Sequence, residues 1–150
     1  MIKADHKKWA RAVFNPYLNL LLKKNFSHFY LANKFPQIPE DCGLIITPNH
    51  ISWWDGFFID FVNRQKLNRR IHILMLEEQL AKYKFFRKLG AYSINHGNVK
   101  SLIETKNYTS QIISGSKNFA VIYPQGEIEA YEKRPLNIKE GLKFILKDSG

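Results

Sequence analysis

A single cysteine, Cys42, excludes an internal disulfide framework and fits a reducing compartment. The five histidines (His6, His28, His50, His72 and His96) are scattered, with no Cys/His cluster at metal-ligand spacing, so neither a metal nor another cofactor is expected. No internal repeat or low-complexity tract interrupts the chain. The N-terminal apolar run Leu20-Leu21-Leu22 is far short of the ~20 residues that cross a bilayer. It also lacks a signal-peptide core followed by small residues at a cleavage site. A G-x-S-x-G nucleophile elbow is missing, and Cys42 precedes the turn that carries His50. What remains is a chain of 150 residues, long enough for one domain with a sizeable core.

Acidic residues are also scarce, 13 against 23 Lys and Arg, and the formal net charge is +10. The excess is localised. Residues 1–40 hold seven basic and two acidic side chains, residues 64–88 hold eight and two, and the rest is slightly acidic. A basic surface of this kind suits an anionic partner. In residues 1–40, Lys7, Lys8 and Arg11 interleave with Trp9, Val13, Phe14, Tyr17 and Leu18, and Lys23-Lys24 follow the leucine run. That pattern describes an amphipathic helical segment lying in a lipid interface. It equally describes a helix packed on its own domain. The expected setting is peripheral, on the cytoplasmic side of a membrane such as a bacterial inner membrane, with an anionic membrane surface as partner.

Residues 41–150 alternate strand-like and helix-like segments. Leu44–Thr47, Ile71–Leu76, Ala91–Ile94 and Asn118–Tyr123 read as buried strands. Gly56–Val62, Glu77–Lys88, Ser101–Ile113 and Ile138–Leu146 read as helices, with Gly90 and Pro124 as breaks. Continuous apolar strands alternating with helices predict an α/β fold: a mostly parallel central sheet flanked by helices, behind a helical N-terminal segment. His72 falls inside a strand and is expected to point to one sheet face. In such sheets ligands gather beyond the carboxyl ends of the strands.

Two turns occupy such positions. Thr47-Pro48-Asn49-His50-Ile51-Ser52-Trp53-Trp54-Asp55 places four residues between a histidine and an aspartate. On a continuous helix that spacing puts the two side chains on different faces. They meet only if His50 lies in the turn and Asp55 reaches back from the helix start, a break that Pro48 favours. A histidine so held is a general base, and the carboxylate fixes its tautomer and stabilises the imidazolium. With no protein nucleophile, direct transfer onto an acceptor hydroxyl is the chemistry implied. Asn49 or Ser52 as a helix cap beside a surface His50 is the alternative. The second turn is Tyr123-Pro124-Gln125-Gly126-Glu127, where Gly126 suits either a tight turn or a close backbone approach to a substrate.

Asn49-His50-(four residues)-Asp55 resembles the signature of the glycerol-phosphate and lysophospholipid acyltransferase superfamily. Gly90-Ala91-Tyr92-Ser93-Ile94-Asn95-His96 is similar to its second block, Tyr123-Pro124-Gln125-Gly126-Glu127 to its third, and Ile138-Lys139-Glu140-Gly141 to the element opening the next helix. The resemblance covers about residues 44–150. It implies transfer of a fatty acyl group from an acyl-CoA or acyl-carrier-protein thioester to a hydroxyl of a lipid acceptor, with His50 as base and Asp55 orienting it. It also implies substrate-binding roles for Asn49, His96, Tyr123, Pro124, Gln125, Gly126 and Glu127. Further elements usually follow the third block, so the acyltransferase domain is expected to be incomplete at Gly150.

The departures are informative. His96 and Glu127-Ile128 stand where the family usually carries phosphate-binding Arg and Thr-Arg, and Gln125 stands for its Glu. Lys133, Arg134 and Lys139 are the nearby cations that would replace the lost ones. Otherwise the acceptor is expected to lack a phosphate monoester. The competing reading is a non-catalytic basic module that binds anionic lipid or nucleic acid. Nucleic acid is the less favoured ligand, since no helix-turn-helix, zinc-finger or aromatic RNA-binding signature is present.

Overall fold

In the computed structural model, which describes residues 1–147, four short apolar segments pair in parallel as a sheet of order β1-β4-β2-β3. The strands are β1 (Leu44–Ile46), β2 (Arg70–Leu76), β3 (Ala91–Ile94) and β4 (Asn118–Val121). β4 is central: Leu44 pairs with Phe119 on one side, and Ile71 pairs with the same Phe119 on the other. Alternation sorts its side chains to two layers. Phe119 and Val121 join Ile71 on one face, whereas Ala120 and Ile122 meet Tyr92, Ile94, Ile112 and Ile145 on the other. Both faces are therefore apolar, which explains strands that read as unbroken hydrophobic runs.

The helices are α1 (Lys8–Asn25), α2 (Asp55–Val62), α3 (Glu77–Lys82), α4 (Phe85–Leu89), α5 (Val99–Ile113) and α6 (Gly141–Leu146). α1 buries a single stripe at four-residue spacing, Ala10, Phe14, Leu18 and Leu22, against Phe57, Phe58 and Phe61 of α2 and Phe86 and Leu89 of α4. Phe14 and Leu18 thus serve the core, while Trp9, Val13, Tyr17 and Leu20 face solvent. Helix occupies only part of residues 1–40, and residues 26–43 contain neither helix nor strand.

Three sequence expectations are corrected. The single helix expected over Glu77–Lys88 is two, broken at Tyr83 and Lys84. Aromatic contacts outweigh helix continuity there: Tyr83 lies 6.0 Å from the Trp53 ring, Phe85 6.2 Å from Trp9 and Phe86 6.5 Å from Phe57. α4 then ends at Gly90, whose φ of +115° favours glycine and where a Cβ would sit 2.2 Å from Ile71 O. The last helix starts at Gly141 rather than Ile138, because Lys139 N–H donates to Pro124 O at 2.9 Å and holds that stretch in the loop. The N-terminal residues, expected within the helical segment, instead run along β3 and α4. Ser93 N–H donates to Ile2 O at 2.9 Å, and Asp5 and Lys7 donate to Arg87 O and Lys88 O at 3.0 Å each. This strap covers the β3 edge.

His72 is 7 % exposed, and neither ring nitrogen has a hydrogen-bond partner among the described residues. Burial, the His6 ring 4.6 Å away and the positive charge of Arg70 push its pKa down to about 4. The Asn118 amide, engaged with Ile112 O at 2.9 Å, offsets little of this. In the unfolded chain His72 titrates near its ordinary value, so between pH 7 and 5 the unfolded state binds more protons and stability falls with pH. The loss expected from His72 alone is about 2 kcal/mol. Urea unfolding of the wild type at pH 7 and 5 should show it, and His72→Leu should lose less. Equal pH dependence in the two proteins would contradict this origin.

Candidate active site

Strand order brings the two turns together. Because β4 inserts beside β1, the loop after Val121 lands next to the loop after Ile46, although their contacting residues are 75 positions apart. Both lie beyond carboxyl ends of parallel strands. Between β1 and α2 the chain turns at Ser52, whose hydroxyl accepts from Trp54 N–H at 3.2 Å, and Asp55 opens α2.

Asp55 reaches back from that position. Its Oδ2 lies 3.0 Å from His50 Nδ1 and accepts from the backbone N–H groups of Ile51 at 2.8 Å and Ser52 at 2.9 Å. The negative charge is also favoured at a helix N-terminus. With Nδ1–H directed at the carboxylate, Nε2 is the nitrogen left to meet a substrate. The His50 ring stacks on Tyr123 with centroids 4.0 Å apart and planes at 20°. The Tyr123 hydroxyl is buried without a partner among the described residues. Burial, reinforced by the Asp55 charge, pushes its pKa well above the ordinary value and keeps it protonated.

His50 lines a cavity of about 450 Å³. Around it stand Tyr123, Pro124, Gly126, Glu127, His96 and Lys139, and the walls continue through Phe14, Phe57, Ile73, Phe86, Leu89, Ile94, Ile122, Leu142 and Ile145. An apolar enclosure with a few convergent polar groups suits a ligand with a long hydrocarbon part. Trp53 and Tyr83 also line the cavity while remaining partly exposed. Gly126 has φ +73°, and a Cβ there would meet only Lys139 side-chain carbons at ordinary contact distance. Its backbone conformation, rather than crowding, favours glycine.

Of the residues singled out in sequence, His50, His96, Tyr123, Pro124, Gly126, Glu127 and Lys139 line the cavity. Glu127 Oε1 and Lys139 Nζ lie 3.4 Å apart. Asn49 is exposed and does not contribute to the lining. Arg134 stands apart from the cavity, donating to Tyr131 O and Lys133 O at 2.7 Å each. Gln125 is wholly buried behind His50, where its Oε1 accepts from His50 N–H at 2.5 Å.

Three further residues contribute to the site without having been expected there from sequence. Glu129 is buried and accepts from Gln125 Nε2 at 3.1 Å; a hydrogen bond from Lys133 and that from Gln125 hold its carboxyl below the usual range. Buried Asp60 pairs with half-buried Arg11 in the cavity wall, with Arg64 Nε 3.1 Å from the second Asp60 oxygen. A lone charge inside Gly56–Val62 was the visible signal for Asp60. Nothing local marked Glu129.

A family model described as Acyltransferase matches residues 32–150 of the chain. Comparison with curated proteins and with solved structures yields no significant match.

Proposed function

We propose, from the premise that the chain belongs to the acyltransferase family, that it moves a fatty acyl group from an acyl-CoA or acyl-carrier-protein thioester directly to a hydroxyl of a lipid acceptor. The observation that carries this reading is the His50 Nδ1–Asp55 Oδ2 contact of 3.0 Å at the edge of an apolar cavity. His50 Nε2 takes the acceptor proton as its oxygen attacks the thioester carbonyl. The tetrahedral intermediate then collapses, the thiolate leaves, and the imidazolium returns the proton to it. Asp55 holds the tautomer and faces the imidazolium. The acyl chain lies along the apolar walls. An assay of labelled acyl-CoA with hydroxylated lysolipids tests this, and absence of labelled lipid product across such acceptors would overturn it.

The acceptor in this proposal is neutral or zwitterionic. Lys139 is already paired with Glu127, and Arg134 is held at Tyr131 and Lys133. A phosphate monoester there meets the Glu127 carboxylate, and the engaged Lys139 and Arg134 offset little of its dehydration. With one acyl-CoA, glycerol 3-phosphate and lysophosphatidate should be acylated more slowly than a zwitterionic lysolipid in parallel reactions. Efficient lysophosphatidate acylation that is lost on Arg134→Ala would show that the cation is rerouted and the preference wrong.

The protein in this proposal works peripherally on the cytoplasmic side of an anionic membrane. Among the described residues no helix is long and apolar enough to cross a membrane. The support is the exposed α1 face of Trp9, Val13, Tyr17 and Leu20, together with Trp53 at the cavity and Lys23 and Lys24 in the last turn. Such a face inserts shallowly, and basic residues near a charged bilayer add roughly 1 kcal/mol each. Binding to vesicles should require anionic lipid and weaken as salt rises. Changing Trp9 and Leu20 to Ser should weaken it by an amount insensitive to salt. Equal sedimentation with neutral and anionic vesicles would remove electrostatics from the account.

A further inference from the structure

Two polar side chains behind His50 lie almost wholly out of water: Gln125 is 0 % and Glu129 5 % exposed, and neither lines the cavity. Burying such groups is costly unless each finds partners. Theirs converge on one residue. Gln125 Oε1 accepts from His50 N–H at 2.5 Å, and Glu129 N–H donates to His50 O at 2.9 Å. Gln125 Nε2 closes the ring by donating to Glu129 Oε2 at 3.1 Å. Glu129 is held in turn by the Lys133 ammonium and by Asn137 N–H at 3.4 Å. Both backbone polar groups of His50 are therefore fixed by a four-residue unit of the loop after β4, and Asp55 fixes the ring from the other side.

We propose that Gln125 and Glu129 are a positioning pair that sets the backbone orientation of His50, and through it the approach of the imidazole to the acceptor. Residue 125 must accept from His50 N–H and donate to a carboxylate at the same time, which an amide does and an ionised carboxylate does not. Gln125→Glu keeps the shape but sets two carboxylates against each other in a buried place. The doubly exchanged Gln125→Glu/Glu129→Gln restores one amide and one carboxylate, with the N–H donor now on residue 129. The inference rests on the proposed role of His50 as base.

The test measures turnover and hydrogen exchange together. In Gln125→Glu, kcat should fall about 10- to 100-fold, the cost of a misplaced group, while KM for acyl-CoA stays within about twofold. Amide exchange of residues 49–52 should speed up by at least about tenfold as the turn loosens. Both should return toward wild type in the double variant. If Gln125→Glu fails to fold, the double variant decides: native protection of residues 49–52 with turnover supports the pair. A single variant unchanged in kcat and exchange overturns it. So does a double variant that stays as impaired as the single, or that also fails to fold. Exchange is read without turnover, so a wild type lacking acyl transfer would defeat the functional reading alone, and unchanged exchange would defeat this one alone.

Discussion

His50→Ala is expected to lower acyl transfer by about 10²–10⁴-fold, the usual worth of a positioned general base, or below detection in a weak assay. The fold should survive. His50 sits in a turn, its ring contacts are Tyr123 and Asp55, and its backbone bonds to Gln125 and Glu129 do not depend on the side chain. Circular dichroism and the urea midpoint should therefore match the wild type within error. KM for the donor should change little, because the acyl chain is gripped by the apolar walls, so the loss belongs in kcat. A well-folded His50→Ala protein with near-full turnover would end the catalytic assignment.

Asp55→Asn should cost nearly as much through a different cause. One oxygen of Asp55 accepts from the His50 ring and from two backbone N–H groups. Asparagine can keep the backbone bonds through its carbonyl, so α2 should still start where it does. It carries no charge to face the imidazolium, and its amide can present N–H instead of an acceptor to Nδ1. A fall of about 10²–10⁴-fold in kcat follows, equal to or milder than that of His50→Ala. Asp55→Ala should add a loss of thermal stability, because Ile51 and Ser52 N–H then lose their acceptor. An asparagine variant indistinguishable from wild type in kcat would mean that the carboxylate is a turn-former alone.

Much of this architecture was written in local sequence. The strands at Leu44–Ile46, Arg70–Leu76, Ala91–Ile94 and Asn118–Val121 were visible because the sheet packs apolar side chains on both faces, so each strand reads largely as an apolar run. The His50–Asp55 geometry was visible because a five-residue step is inconsistent with one helix. Relations that depend on strand order were not legible. β4 lies between β1 and β2, and only that insertion sets Gln125 and Glu129 against His50. The break between α3 and α4 escaped for a similar reason, since Glu77–Lys88 has good helical composition and its interruption comes from rings on distant segments, Trp53, Trp9 and Phe57. The two sides of α1 were also inseparable in sequence. Phe14 and Trp9 are both aromatic, and only packing against α2 and α4 assigns Phe14 to the core and leaves Trp9 outside.

The central claim is direct, His50-assisted transfer from thioester to lipid hydroxyl. Its most direct test mixes the protein with a long-chain acyl-CoA labelled in the acyl group and a zwitterionic hydroxylated lysolipid, quenches within a single turnover, and follows the label in protein and lipid alongside release of free CoA. The account predicts that acylated lipid and free CoA rise together, with no label on the protein at any time, and that both form at least about 10²-fold more slowly with His50→Ala. Label that appears first on the protein and then passes to the lipid, or transfer near the wild-type rate in His50→Ala, would contradict it.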